Sequence, residues 1–144
     1  MTDKIHPHTS LDECRFVRLE SRHEAGGVVT VAENGNELPF SIRRVFYIYN
    51  IPANAERGGH SHYIEKELVI AVAGCFEVAV TDGREVRRYT LSRPDEGLYV
   101  PPGLWRWLTG FTEGSVVLSM SPYDFDESDY VRDYDEFLKL RGVK

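Results

Sequence analysis

Arg57-Gly58-Gly59-His60-Ser61-His62, followed by Glu67 and Gly74, is the stretch of this chain from which the most follows. In a β-strand, side chains at i and i+2 point to the same face. If this stretch is extended, both imidazoles look into one cavity. Two histidines on the inner wall of a small barrel are costly to bury unless they hold a metal, move protons or grip a ligand.

The flanking sequence supplies the strands such a wall needs. Gly27–Val31 and 44–49 are rich in β-branched and aromatic residues and predict strands, with a turn over 34–39 between them. Glu67–Ala73 is almost wholly apolar, which predicts a strand buried on both faces. Phe76–Thr81 alternates, with Phe76, Val78 and Val80 on one side. Asp82-Gly83 then gives a hairpin into a strand over 85–91. Further strands are expected over 97–100, 104–108 and 115–121, with Pro101-Pro102-Gly103 as a tight turn. One amphipathic helix is expected over 127–140, its apolar side carrying Tyr130, Tyr134, Phe137 and Leu138. Many short strands with Gly and Pro turns predict an all-β fold, a sandwich or barrel with one short C-terminal helix. Residues 1–13 are polar and read as a flexible tail in which His6 and His8 are solvated. Residues 14–144 then form a single domain.

Composition narrows the function classes. The chain of 144 residues is long enough for one sizeable core and short for two. A net charge of -6 argues against general nucleic-acid binding, which needs clustered cations. A few local arginines suffice for a small anionic ligand. No run of about 18 apolar residues occurs, so no membrane helix is expected. The first residues lack the basic-then-apolar pattern of a secretory signal. Cys14 and Cys75 form no framework and read as free thiols, which fits a cytoplasmic protein.

The spacing His60-x-His62-x4-Glu67-x6-Gly74 resembles the first signature of the cupins, whose fold is the double-stranded β-helix or jelly-roll barrel. Cupins commonly use two histidines and a glutamate, with a later third histidine, to hold a divalent metal. That third position, in Pro101-Pro102-Gly103-Leu104-Trp105-Arg106, is arginine here. A guanidinium cannot ligate a cation and repels one nearby. His60, His62 and Glu67 alone remain a feasible ligand set for a metal-dependent cupin enzyme.

A closer resemblance runs from about Gly27 to Phe137. Four blocks carry it: Pro39–Ile48, Arg57–His62, Gly97–Trp105 and Tyr123–Phe137. In order and spacing they resemble the sugar 3,4-ketoisomerases, metal-free cupins acting on nucleotide-linked 4-keto-6-deoxyhexoses such as dTDP-4-keto-6-deoxyglucose. The resemblance implies an isomerase that moves the ketone from C4 to C3 through an enediol, with no cofactor and no metal. Histidine suits that work, because its ordinary pKa of about 6.5 lets it take and return protons near neutrality. By position, His62 is the base and His60 its partner, orienting the sugar or relaying a proton between oxygens. Arg44 and Arg57 would hold the diphosphate or sugar oxygens. Tyr47 and Tyr99 would donate to developing enolate charge, and Trp105 would shape the pocket wall. Glu67 and Arg106 complete the expected substrate-binding set.

The resemblance also implies a homodimer with exchanged N-terminal strands, Val28–Val31 being the candidate for exchange. It further implies a place in deoxysugar and surface-polysaccharide biosynthesis, upstream of an aminotransferase and an acyltransferase. The chain departs from the family at the presumed site. Gly26 stands where arginine is usual, Tyr63 where lysine is frequent, Glu67 where glutamine is common, and Arg106 replaces a histidine. These changes leave a non-catalytic nucleotide-sugar-binding cupin as a third reading, beside the isomerase and the metal enzyme.

Overall fold

The computed structural model describes residues 4–144. Its elements are β1 (Arg15–Arg18), β2 (Glu20–Glu24), β3 (Gly27–Val31), β4 (Arg44–Ile48), β5 (Arg57–His62), β6 (Glu67–Ala73), β7 (Phe76–Thr81), β8 (Val86–Leu91), β9 (Glu96–Val100), β10 (Trp105–Thr109), β11 (Val116–Ser121), β12 (Tyr130–Val131) and α1 (Tyr134–Leu140). One sheet has the order β1-β9-β6-β11-β4, and the facing sheet β12-β5-β10-β7-β8. All pairings are antiparallel, and β2 with β3 forms a separate hairpin. This is the cupin jelly-roll barrel with one short C-terminal helix.

Period-two alternation explains where the core sits. Val69 and Ala71 of β6, Val78 and Val80 of β7, Leu98 and Val100 of β9, and Leu108 of β10 meet between the sheets. The opposite face of β6 is apolar too, because Leu68 and Ile70 are covered by Val17, Leu19, Phe40 and Ile42. On the outside of the second sheet, Trp105 and Val131 pack against Phe137 of α1. Phe137 is fully buried, a stabilisation on the order of 2–3 kcal/mol for an aromatic side chain.

Two segments differ from expectation. The anticipated helix over 127–140 is a 3-10 turn (Glu127–Asp129), the short strand β12, and then α1. Asp126 caps the turn and Asp133 caps α1, its side chain accepting from the amides of Asp135 and Glu136. Between the two caps, Tyr130 and Val131 pair with His62 and Ser61 of β5. That cross-strand pairing outweighs the helical periodicity. The segment expected to be a solvated tail is laid against the barrel from residue 4. His6 is only 6% exposed and Leu11 is buried, while His8 is exposed as expected. The first three residues of the expected tail lie outside the described residues.

Among the described residues, no helix is long and apolar enough to cross a membrane.

Candidate active site

Strand β5 carries the site because of a kink at its start. His60 pairs with Arg106 of β10 and Arg57 with Leu108, so β5 has one residue more than its partner over that interval. Gly58, at φ +75°, takes the left-handed conformation of such a bulge. A Cβ there would lie 2.7 Å from Arg106 Nη1, so glycine also makes room for the guanidinium. Beyond the bulge, His60 and His62 share the inner face, their ring centroids 4.6 Å apart. Tyr130, opposite His62 on β12, packs on both, with centroids at 4.9 Å from His60 and 4.3 Å from His62. The Arg132 guanidinium covers Tyr130 and is itself held in a fork by Glu127.

The cavity has a volume of about 220 Å³. Its walls include His60, Glu67, Arg106 and Tyr130, with Phe46 and Ile48 as apolar panels and the exposed Arg57 at its rim. The walls are short of polar partners. Both ring nitrogens of His60 and of His62, Glu67 Oε1 and Arg106 Nε are buried with no hydrogen bond. Buried polar atoms left unpaired are uncommon and expensive, so a cluster of them around one cavity marks the place of a polar ligand.

Electrostatics separates the two histidines. Burial drives His60 well below the ordinary imidazole range, and Arg106 and His62 push it the same way, so it is neutral. Burial also opposes charge on His62, but Asp129 and Glu67 outweigh it and the pKa is raised. Asp129 Oδ2 lies 3.3 Å from His62 Nδ1, and Glu67 Oε1 lies 3.7 Å from Nε2. The Asp129 carboxylate is fixed by the backbone amides of Ile64 and Glu65, which donate to it at 2.9 and 3.0 Å. Burial favours its neutral form, yet the adjacent His62 ring and the hydrogen bonds from these amides prevail and keep it ionised. Glu67 is likewise buried but held as a carboxylate by Arg106 and His62.

The cupin barrel raises the question of a metal. His60, His62 and Glu67 do offer donor atoms within 4.8 Å of one another. Arg106, however, forms an ion pair with Glu67 and faces His60 across the strands. A fixed positive charge thus occupies the third ligand's place and already neutralises the carboxylate, so these residues do not fit a cation.

The structure brings together His60, His62, Arg57, Glu67 and Arg106. Arg44 points inward from β4 nearby, 3.8 Å from Glu65 and stacked on Phe46 and Phe125, with its Nε and Nη2 unpaired. Burial raises the Glu65 carboxyl to about 7. Tyr47, Tyr99 and Trp105 do not reach the cavity. Tyr47 alternates with Phe46 and Ile48, and is 62% exposed on the outer face. Tyr99 alternates with Leu98 and Val100 and packs outside on Phe40 and Arg15. Trp105 precedes the inward Arg106 and therefore lies outside, against Tyr134 and Phe137 of α1. Asp129 and Tyr130 were not anticipated. Their signal was the run Asp126–Tyr130, whose caps break the helix and return the chain to β5.

Barrel, histidine pair and ion-paired arginine define a cupin built for acid–base work on a polar ligand. The FdtA family model, described as WxcM-like, C-terminal, matches residues 12–142, and the chain belongs to this family. It is 36% identical over 114 residues to the TDP-4-oxo-6-deoxy-alpha-D-glucose-3,4-oxoisomerase of Aneurinibacillus thermoaerophilus, covering 79% of this chain and 81% of that one. A 3,4-ketoisomerase from Helicobacter canadensis superposes with a TM-score of 0.87 at 31% identity, over 90% of this chain and 98% of its own. The sugar 3,4-ketoisomerase of Thermoanaerobacterium thermosaccharolyticum in complex with TDP gives 0.89 at 30% identity, over 92% and 97%.

Proposed function

We propose that the chain is a sugar-nucleotide 3,4-ketoisomerase that converts a TDP-linked 4-keto-6-deoxyhexose to its 3-keto isomer. The observation that carries this reading is a pair of buried, touching imidazoles with opposite proton preferences, of which His60 lines the cavity and His62 lies behind it against Glu67 and Asp129. Separating the pKa values of two neighbouring groups is how a site assigns acid and base roles. His62, backed by Asp129, takes the proton from C3, and the two adjacent carboxylates stabilise the imidazolium that forms. His60, neutral, relays a proton from the C3 hydroxyl to the C4 oxygen as the enediol forms and collapses. His62 then returns its proton to C4, so no proton is gained or lost overall. Arg106 and Arg57 supply positive charge where oxygen anion character develops, and Arg44, beside Glu65, keeps donors that make no hydrogen bond within the chain.

Several finer points belong to the same proposal. A homodimer with exchanged N-terminal strands is supported by the detached β2–β3 hairpin and by exposed Val28 and Val29 upon it. In such a dimer Tyr47 and Tyr99, on outer faces, would meet the partner rather than this chain's own cavity. Free Cys14 and Cys75 fit a reducing cytoplasm. The test is direct: incubation with TDP-4-keto-6-deoxyglucose, followed by proton NMR of the sugar. A new 3-keto species is expected, and an unchanged spectrum with saturating protein would leave only the binding-module reading.

A further inference from the structure

We infer that His6 is a positioning residue for the histidine pair, and that residues 4–8 form a strap holding the back of the catalytic strand. The inference rests on the isomerase reading above for its kinetic arm alone. This strap lies outside residues 12–142 that match the family model.

Ser61 sits between His60 and His62 and points to the opposite face of β5. There its Oγ meets His6 Nε2 at 2.9 Å, and both residues are buried. His6 is walled edge-on by Tyr63 and Phe137, at centroid distances of 5.5 and 5.7 Å. Burial, aided by Arg141 and His8 and opposed by Asp129, lowers its pKa to about 4, so the ring is neutral and can share one hydrogen with the serine. The residues on either side of His6 tie down several segments around His62. Lys4 Nζ donates to the carbonyl of Ser128, next to Asp129, at 2.6 Å. The Pro7 carbonyl and the Gly103 carbonyl both accept from Arg141 Nη1, at 3.3 and 3.2 Å. The Gly103 amide in turn donates to the carbonyl of His62 at 2.9 Å. Gly103 permits this crossing, because a Cβ would collide with the Pro7 carbonyl oxygen. His8 Nε2 donates to the Leu140 carbonyl at the end of α1, at 2.9 Å.

The strap thus contacts β5, the turn before β10, the Asp129 turn and α1 at once. A histidine pair that must hold its geometry to about 0.5 Å needs such backing, since catalytic constellations are only as precise as the shell behind them. His6 touches neither substrate nor the reacting atoms. Its effect travels through Ser61 to the two rings.

The test compares His6→Ala, Ser61→Ala and His6→Gln in the full chain. The Gln amide nitrogen can take the place of Nε2 and keep the bond to Ser61. For His6→Ala, kcat falls about tenfold or more while KM stays within about twofold, in line with the cost of small misplacements remote from the chemistry. His6→Gln restores most of kcat. In parallel, the imidazole NMR signals of His60 and His62 shift in His6→Ala and Ser61→Ala, and stay near wild type in His6→Gln. Wild-type kcat and unmoved imidazole signals in His6→Ala overturn the inference. So does a His6→Gln protein as impaired as His6→Ala, which would reduce His6 to packing. If the wild-type protein leaves the sugar unconverted, the activity reading fails by itself, and the imidazole signals still decide the strap.

Discussion

Breaking the Glu67–Arg106 pair should be felt first in stability. The two side chains are 2% and 7% exposed and bridge the facing sheets inside the barrel. Removing one partner strands a buried charge, which costs about 3–5 kcal/mol. The adjoining cavity admits solvent, so the low end, about 3 kcal/mol, is expected for Arg106→Met. Taking ~2.1 cal/mol/K per residue over 144 residues, the unfolding entropy is about 0.3 kcal/mol/K and Tm drops by about 10 °C. Glu67→Gln should lose a comparable amount, because it strands the guanidinium instead. The double variant Glu67→Gln/Arg106→Met should recover about 2 kcal/mol of the summed losses, since no lone charge then remains. Urea unfolding of the four proteins at pH 7 measures this coupling. Additive losses, within about 0.5 kcal/mol, would falsify the ion pair as a coupled unit. The pair also sets a pH signature. Glu67 is held below its ordinary 4.5, so the unfolded chain binds more protons there. Its contribution is therefore complete above about 4.5 and is lost as pH falls further. Glu67→Gln should remove that part of the acid limb.

Three further outcomes are expected. Asp129→Asn should lower kcat/KM by about 10²-fold or more, as loss of an orienting carboxylate does elsewhere. It should also move the acid limb of the pH profile downward, because the base works unprotonated and His62 sits above 6.5 only with its carboxylates in place; an unmoved limb would separate Asp129 from His62. Activity should be indifferent to prior chelation with EDTA and to added divalent cations, because Arg106 fills the ligand position; restoration by a stoichiometric metal would contradict this. Phe137→Ala, at a fully buried position under α1, should cost about 3–5 kcal/mol in urea unfolding; a loss below 1 kcal/mol would mean that the helix is not anchored there.

The strands that face the core were legible because alternation and β-branched runs state them outright. Phe76–Thr81 and the Asp82-Gly83 turn into β8 are the clearest cases. Strands β1 and β2 escaped because most of their side chains face solvent, only Val17 of β1 being buried, which leaves no apolar rhythm to read. At the site, His60, His62, Glu67 and Arg106 followed from spacing along three strands, β5, β6 and β10. Strand parity accounts for the residues that do not converge. Arg44 and Tyr47 differ by an odd number, as do Trp105 and Arg106, so one member of each pair must face away. Asp129 and Tyr130 were hidden by a helical pattern, whose interruption depends on caps and on pairing with β5. The His6 strap left no trace, since its partners lie more than fifty residues away in sequence.

Solvent deuterium tests the shared imidazole chemistry most directly. With TDP-4-keto-6-deoxyglucose in D2O, wild-type protein should exchange the C3 hydrogen of the substrate and place deuterium at C4 of the 3-keto product over repeated turnovers, as the proton held by His62 exchanges with solvent before it is returned. His62→Asn should abolish both events, while His60→Asn should stall the relay and suppress product. Undiminished C3 exchange and product formation in His62→Asn would contradict the account.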